Sequence, residues 1–275
     1  MNNCFSSADE AVKIVDSGNR VFVQGSAATP STLLQALFRR KNELTNVELV
    51  SISTIGADIF KPANIGGSFF VNSLFVSQNV RDIVNSEFGE YIPVFLSEIP
   101  SLFRNNILPI DVALIHVSPP DKHGYCSLGT SVDIVRAAIS NAKHVIAQVN
   151  RQMPRTHGDG LIRMENISAI VEIDEPLPEV SYGQKVDSKS MAIGRYCAEL
   201  IEDGATLQMG IGAIPDAVLS CLGNHKDLGV HTEMFSDGVI PLVKNGVITN
   251  KYKDRHRGTI VTGFVIGTKK LYDFV

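Results

Sequence analysis

Paired cysteines are missing from this sequence. The four it has, Cys4, Cys126, Cys197 and Cys221, are scattered and form no Cys-x-x-Cys, which argues against a disulfide framework and suits a reducing compartment. Long apolar runs are missing too: no stretch is long enough to span a bilayer. The start, MNNCFSSADEAVKIV, lacks the basic and apolar regions of a signal peptide, so the expectation is a cytoplasmic protein with no membrane partner. No block of like charge stands out. Lys plus Arg is 25 against 29 for Asp plus Glu, a net charge of −4, and nucleic acid is not expected as a partner. No Gly-Lys-Ser/Thr occurs after a glycine-rich turn, which excludes a P-loop.

What is present is a large apolar fraction in a repeating pattern. Of 275 residues, 44% are hydrophobic, enough for one large domain or two ordinary ones. RVFVQG (20–25), VELVSIS (47–53), DVALIHVS (111–118), HVIAQVN (144–150) and AIVEI (169–173) read as buried strands rich in Val and Ile. Between them STLLQALFRRK, NVRDIVNSEF and SVDIVRAAISNAK carry apolar residues at helical spacing. This alternation predicts an α/β class with an open sheet covered by helices. DEPLPEVSYGQ, after Ile173, is the best linker in the chain.

Beyond the linker the pattern starts again. Segment 12–34 aligns with 198–219 with one deletion, pairing Asp16, Gly18, Gly25, Pro30 and Leu34 with Glu202, Gly204, Gly210, Pro215 and Leu219. In each copy a helix is expected to end on a glycine cap, followed by a strand, a small-residue turn and a helix start near Pro. Two related open α/β lobes are expected, residues 1–185 and 186–275, with the active crevice between them. The alternative is that any two βα units look alike at this level.

GIGAIPDAVLS (210–220) follows the short apolar run Ala205–Met209. Gly210 and Gly212 fit the first two glycines of a dinucleotide fingerprint, but Pro215 stands where the third should be. What remains is a strand end whose N–H groups meet a helix start, a place for a phosphate, a carboxylate or an oxyanion. LGVHTEMFSDG (228–238) reads as a strand ending in Glu233. Ligands sit beyond the carboxyl ends of such strands, so Glu233 faces the glycine loop as a nucleophile or base; the competing reading is a capping or salt-bridged acid.

The runs MGIGAIPDAV, LGVHTEMFSDG, SPPDKHGYCSLG and VNRQMPRTHGDG resemble the acetyl-CoA hydrolase/transferase family, most closely its 4-hydroxybutyrate CoA-transferase branch. The resemblance runs along essentially the whole chain. It implies a CoA-transferase/NagB-like fold and CoA transfer between an acyl-CoA and a short-chain carboxylic acid of the 4-hydroxybutyrate, butyrate or acetate type. Glu233 matches the family's nucleophile, which passes through a mixed anhydride to a glutamyl-CoA thioester. Gln208 and Gly210 match its other active-site positions, and Gly210, Ile211, Gly212, Ala213 and Ile214 match its CoA-contacting loop. Coenzyme A is then a substrate, no cofactor is tightly bound, and a homo-oligomer is expected. Family members continue past GTKKLYDFV, so the second lobe is expected to be incomplete in this chain.

Other residues carry weaker signals. Asn150, Met153 and His157 follow a strand end, where substrate contact competes with an ordinary surface loop bearing a solvated Arg155; Ser26 either lines the acid pocket or serves only as a turn. His116, His123 and Cys126 match no common zinc spacing, so no metal is expected. Water in place of the acid would make it an acyl-CoA hydrolase, and two other classes stay open: a sugar-phosphate isomerase-like enzyme using Glu233 as base, and a silent binding lobe.

Overall fold

A computed structural model describes residues 3–4, 7–56, 60–61, 65, 67–181 and 186–275. The last three residues of the expected linker, Tyr182, Gly183 and Gln184, lie outside the described residues. The chain divides into two compact units, Met1–Pro178 and Glu179–Val275. Both are α/β.

In the first unit the described strands are β1 (Asn3–Cys4), β2 (Arg20–Val23), β3 (Val47–Ser51), β4 (Phe69–Ser73), β5 (Gly89–Tyr91), β6 (Val112–Val117), β7 (Tyr125–Ser127), β8 (His144–Asn150), β9 (Leu161–Arg163) and β10 (Ala169–Ile173). Eight of them form one sheet in the order β1-β10-β8-β6-β2-β3-β4-β5, parallel throughout. Alternate residues point to opposite faces and both faces are covered. Val21, Val23, Leu49 and Leu114 feed one apolar cluster, and Phe22, Val50, Ala113 and Ile115 the other. Burial on both sides is why these strands read as unbroken Val/Ile runs. β7 and β9 form a separate antiparallel ribbon.

The strand order reverses beside β2. From β2 the chain runs to β3 on one side through the helix Ser31–Arg39, while β6 lies on the other side and leads to β8 through the helix Val135–Asn141. Such a switch point opens a crevice at the carboxyl ends of the strands.

The second unit contains β11 (Thr206–Leu207), β12 (Gly229–Phe235) and β13 (Val261–Val265), parallel and in that order. Its core gathers Leu219, Leu222, Val230, Phe235, Ile240, Val265 and Leu271. Along β12, Val230 and Thr232 are buried while His231 and Glu233 are exposed, the alternation of a sheet covered on one face. The helix Ser188–Glu199 ends with Leu200 as its cap. Gly204 therefore belongs to the turn before β11 and not to a helix cap; its φ of +78° is matched by the +79° of Gly18 before β2.

Candidate functional site

The chemistry-bearing residues of the second unit are assembled by one buried hydroxyl. Thr232 Oγ1 accepts a hydrogen bond from the Met209 amide at 3.0 Å, and its own proton is shared by the carbonyls of Met209 at 2.7 Å and Met234 at 3.0 Å. Pairing of Thr206 with Gly229 and Leu207 with Val230 sets the register of β11 on β12. The Thr232 clamp continues that register past the end of β11, placing Gln208 level with His231 and Gly210 level with Glu233. Paired residues of parallel strands point to the same side. Gln208 and Glu233 therefore share the open face.

Glu233 does not end its strand, as the sequence suggested. β12 continues to Phe235 because Met234 and Phe235 pair with Phe264 and Val265. The carboxylate is thus held on a rigid mid-strand position. Its side chain is exposed and makes no hydrogen bond or ion pair among the described residues, so the capping and salt-bridge readings find no partner. On its far side lies Gly263, where an added Cβ would stand 3.2 Å from the Glu233 carbonyl oxygen. That oxygen already accepts from Thr262 Oγ1 at 3.0 Å. With Gly210 on one flank and Gly263 on the other, two positions without side chains border the carboxylate and leave space for a bulky reactant.

The loop from Gly210 leads into the helix Ala213–Cys221, with Gly212 at the N-cap. Gly212 has φ +115° and ψ −175°, a conformation open only to glycine. It has no side chain to cap the helix, and Pro215 in the first turn has no N–H to be capped. The amides of Gly210, Ala213 and Ile214 have no hydrogen-bond acceptor among the described residues. A helix start of this kind is suited to an anion. Downstream, Asp237 accepts from the Thr268 amide at 2.9 Å and from its hydroxyl, and Ser236 donates to Asp216 at 3.1 Å. Burial, with the neighbouring Asp237 as a lesser cause, raises the Asp216 pKa above the ordinary carboxyl range. A cavity of about 390 Å³ opens by Asp216, Ser236 and Asp237, and neither Glu233, Gln208 nor Gly210 lines it.

In the first unit the sequence candidates stand at the carboxyl ends of β2 and β8. Ser26 is buried, in the left-handed region at φ +52°, and its amide donates to Ser53 O at 2.6 Å. Beside it Gln24, which no motif pointed to, joins β2 to β6 and the loop beyond: Nε2 donates to Leu128 O and Ser131 O, and Oε1 accepts from the His116 amide at 2.7 Å. Asn150 is wholly engaged, donating to Glu175 O at 2.7 Å and accepting from the amides of Gln152 and Glu175. Met153 is buried over Gly129. Arg155 is not simply solvated; it pairs with Asp121 at 2.6 Å and donates to Tyr125 O at 3.0 Å, while Thr156 bonds Ser127 and Gly129. The two loops SPPDKHGYCSLG and VNRQMPRTHGDG are therefore one knitted rim.

His116 is buried on β6, where desolvation pushes its pKa down to about 4, and burial pushes the Cys126 thiol up to about 11. Among the described residues no group of three or more His, Cys, Asp or Glu is placed to hold a metal ion. None of the described helices is long and apolar enough to cross a membrane.

Residues 2–181 match the family described as the acetyl-CoA hydrolase/transferase N-terminal domain. The chain belongs to the acetyl-CoA hydrolase/transferase family. It is 50% identical over 275 residues to a succinyl-CoA:acetate/propanoyl-CoA:succinate CoA transferase of Fasciola hepatica, covering 98% of this chain and 56% of that one. It is 49% identical over 269 residues to a 4-hydroxybutyrate coenzyme A transferase of Clostridium kluyveri, covering 98% and 62%. The crystal structure of a 4-hydroxybutyrate CoA-transferase from Porphyromonas gingivalis superposes with a TM-score of 0.87 at 38% identity, covering 99% of this chain and 65% of that one. RipA from Yersinia pestis superposes at 0.93 with 31% identity, covering 99% and 65%. This family member thus spans about three-fifths of the length of the curated relatives it matches.

Proposed function

We propose that the protein transfers CoA between an acyl-CoA and a short-chain carboxylate of the 4-hydroxybutyrate, butyrate or acetate type, with Glu233 as the nucleophile. The observation that carries this reading is the placement of Glu233: without a partner among the described residues, fixed mid-strand, flanked by two glycines, level with Gly210 and on the same open face as Gln208. The names of the relatives, all CoA transferases, support the class of substrate.

The Glu233 carboxylate attacks the thioester carbonyl, the C–S bond breaks, and CoA thiolate leaves behind a glutamyl–acyl anhydride. The thiolate then attacks the glutamyl carbonyl, releasing the acyl group as its carboxylate and forming glutamyl-CoA. An incoming carboxylate attacks that thioester and the two steps run in reverse. A carboxylate suits the task because it is a leaving group of about the same stability as the acids it exchanges, so no step falls into a deep well. The Gln208 amide and the Gly210 N–H are the donors for the developing oxyanion, each worth about 3 kcal/mol when aligned. The amides from Gly210 through Ile214 hold part of CoA at the helix start. CoA is a substrate in this scheme, and no resident cofactor is needed.

Ser26 at the β2 turn borders the acid pocket, and Asn150 and Met153 support it by fixing the rim. The protein is taken to be a cytoplasmic homo-oligomer. Because Glu233 is exposed, water is an alternative acceptor, and hydrolysis is the second reading. A panel of acyl-CoAs incubated with acetate separates the two: acetyl-CoA among the products supports transfer, whereas free CoA alone supports hydrolysis. Exchange at the parental rate by Glu233→Ala contradicts both.

A further inference from the structure

A second polar cavity, of about 580 Å³, lies in the first unit beside the antiparallel ribbon of β7 and β9. Its size is that of small-molecule pockets. Arg136 comes from the first turn of the helix Val135–Asn141 and Arg163 from the end of β9; Tyr125, Ile139, Ser140 and Asn166 complete the wall. None of these residues takes part in the chemistry assigned to Glu233.

Both guanidinium groups are held in place before any ligand arrives. Arg136 Nη1 donates to Leu161 O at 2.6 Å. Arg163 Nε donates to the Tyr125 hydroxyl at 2.8 Å, its Nη1 meets Glu165 at 2.7 Å, and its carbon lies 5.3 Å from the Tyr125 ring centre. The remaining N–H groups of each fork are left without a partner among the described residues. Arg136 also has no ion pair among them, whereas Arg163 is paired with Glu165. Anchored forks lose little entropy on binding, and the guanidinium matches phosphate oxygens two at a time. A phosphate monoester, with a charge of about −1.5 to −2 at neutral pH, supplies more charge and more acceptor atoms than a carboxylate. Ile139 and the Leu161–Ile162 segment give the cavity an apolar side, fitted to the organic part of such a ligand.

We propose that the Arg136–Arg163 cavity is a binding site for a small phosphate-bearing molecule, separate from the acyl-transfer residues. The test is calorimetric titration of the protein with inorganic phosphate and, in parallel, with adenosine monophosphate, at constant ionic strength set with chloride. Saturable binding of both is expected, near millimolar for phosphate. Tighter binding of the nucleotide assigns the site to an organic phosphate, and equal affinity assigns it to the free ion.

Two substitutions locate the effect. Arg136→Gln is expected to weaken phosphate binding about tenfold or more, while CoA labelling at Glu233 continues at the parental rate. Glu165→Gln frees Arg163 from its carboxylate and is expected to tighten phosphate binding, a gain that a misfolded protein does not show. No saturation by either probe, or both variants binding phosphate as the parent does, overturns the proposal.

Discussion

Replacing Thr232 by valine keeps the volume of the side chain and removes only the hydroxyl that clamps the loop to β12. That hydroxyl accepts one hydrogen bond, from the Met209 amide at 3.0 Å, and donates one, shared between Met209 O at 2.7 Å and Met234 O at 3.0 Å. At about 1 kcal/mol net for each bond, Thr232→Val is expected to lower stability by about 2 kcal/mol. The effect on chemistry is expected to be larger. Beyond the end of β11 this clamp is what holds Gly210 level with Glu233 and Gln208 on the same face, and a shift of about 1 Å in a reacting group costs on the order of a hundredfold in rate. The assay is the rate at which acyl-CoA labels Glu233, normalised to folded protein. Thr232→Ser, which restores the hydroxyl, is expected to label within a few-fold of the parent. Lys253→Met is the stability control: the buried ammonium donates to Val230 O and Thr259 O, both at 2.7 Å, so its loss costs about 3 kcal/mol or more without removing any bond of the Thr232 clamp. Labelling by Thr232→Val at the parental rate, with the stability loss present, would refute the role given to the clamp.

Three further outcomes follow from the geometry. Gly25→Ala places a Cβ against the carbonyl oxygen of Ser53 and is expected to cost about 3 kcal/mol, read as a lowered urea midpoint; an unchanged midpoint contradicts the packing at the β2 turn. His116, neutral in the fold with a pKa of about 4, takes up a proton on unfolding between that value and about 6.5. The unfolded state then binds more protons, so stability falls as pH drops through this window, by about 3 kcal/mol from this group alone; His116→Gln is expected to flatten that part of the profile, and an unaltered slope argues against a buried neutral imidazole. Gly263→Leu puts a side chain beside Glu233, its Cβ pressing on the Glu233 carbonyl oxygen, and is expected to raise the KM for acyl-CoA about tenfold or more; an unchanged KM shows that the flank is not part of the reactant's path.

The strands of the large sheet were legible because burial on both faces leaves an unmistakable run of Val and Ile, as in Val112–Val117 and His144–Asn150. Phe69–Ser73 and Gly89–Tyr91 were missed: the first mixes Asn and Ser into its strand, and the second is a three-residue edge strand with little to pack against. Glu233, Gln208 and Gly210 were singled out by motif, but the hydroxyl that ties the Gln208–Gly210 segment to β12 was not, since Thr232 looks like any β-branched strand residue. Gly263 did leave a trace. A glycine inside VTGFV is unusual for a strand interior and signals close approach of backbone or ligand. Asn150 and Met153 were read for their position after a strand, and only their partners reveal how fully each is already occupied.

The most direct test of the account is the mass of the protein after incubation with acyl-CoA in the absence of an acceptor acid. The expected result is one CoA joined as a thioester at residue 233, removed by hydroxylamine, reduced by borohydride and absent from Glu233→Ala. Active exchange without such an adduct, or an adduct mapped to any other residue, contradicts the central claim that Glu233 carries CoA between acids.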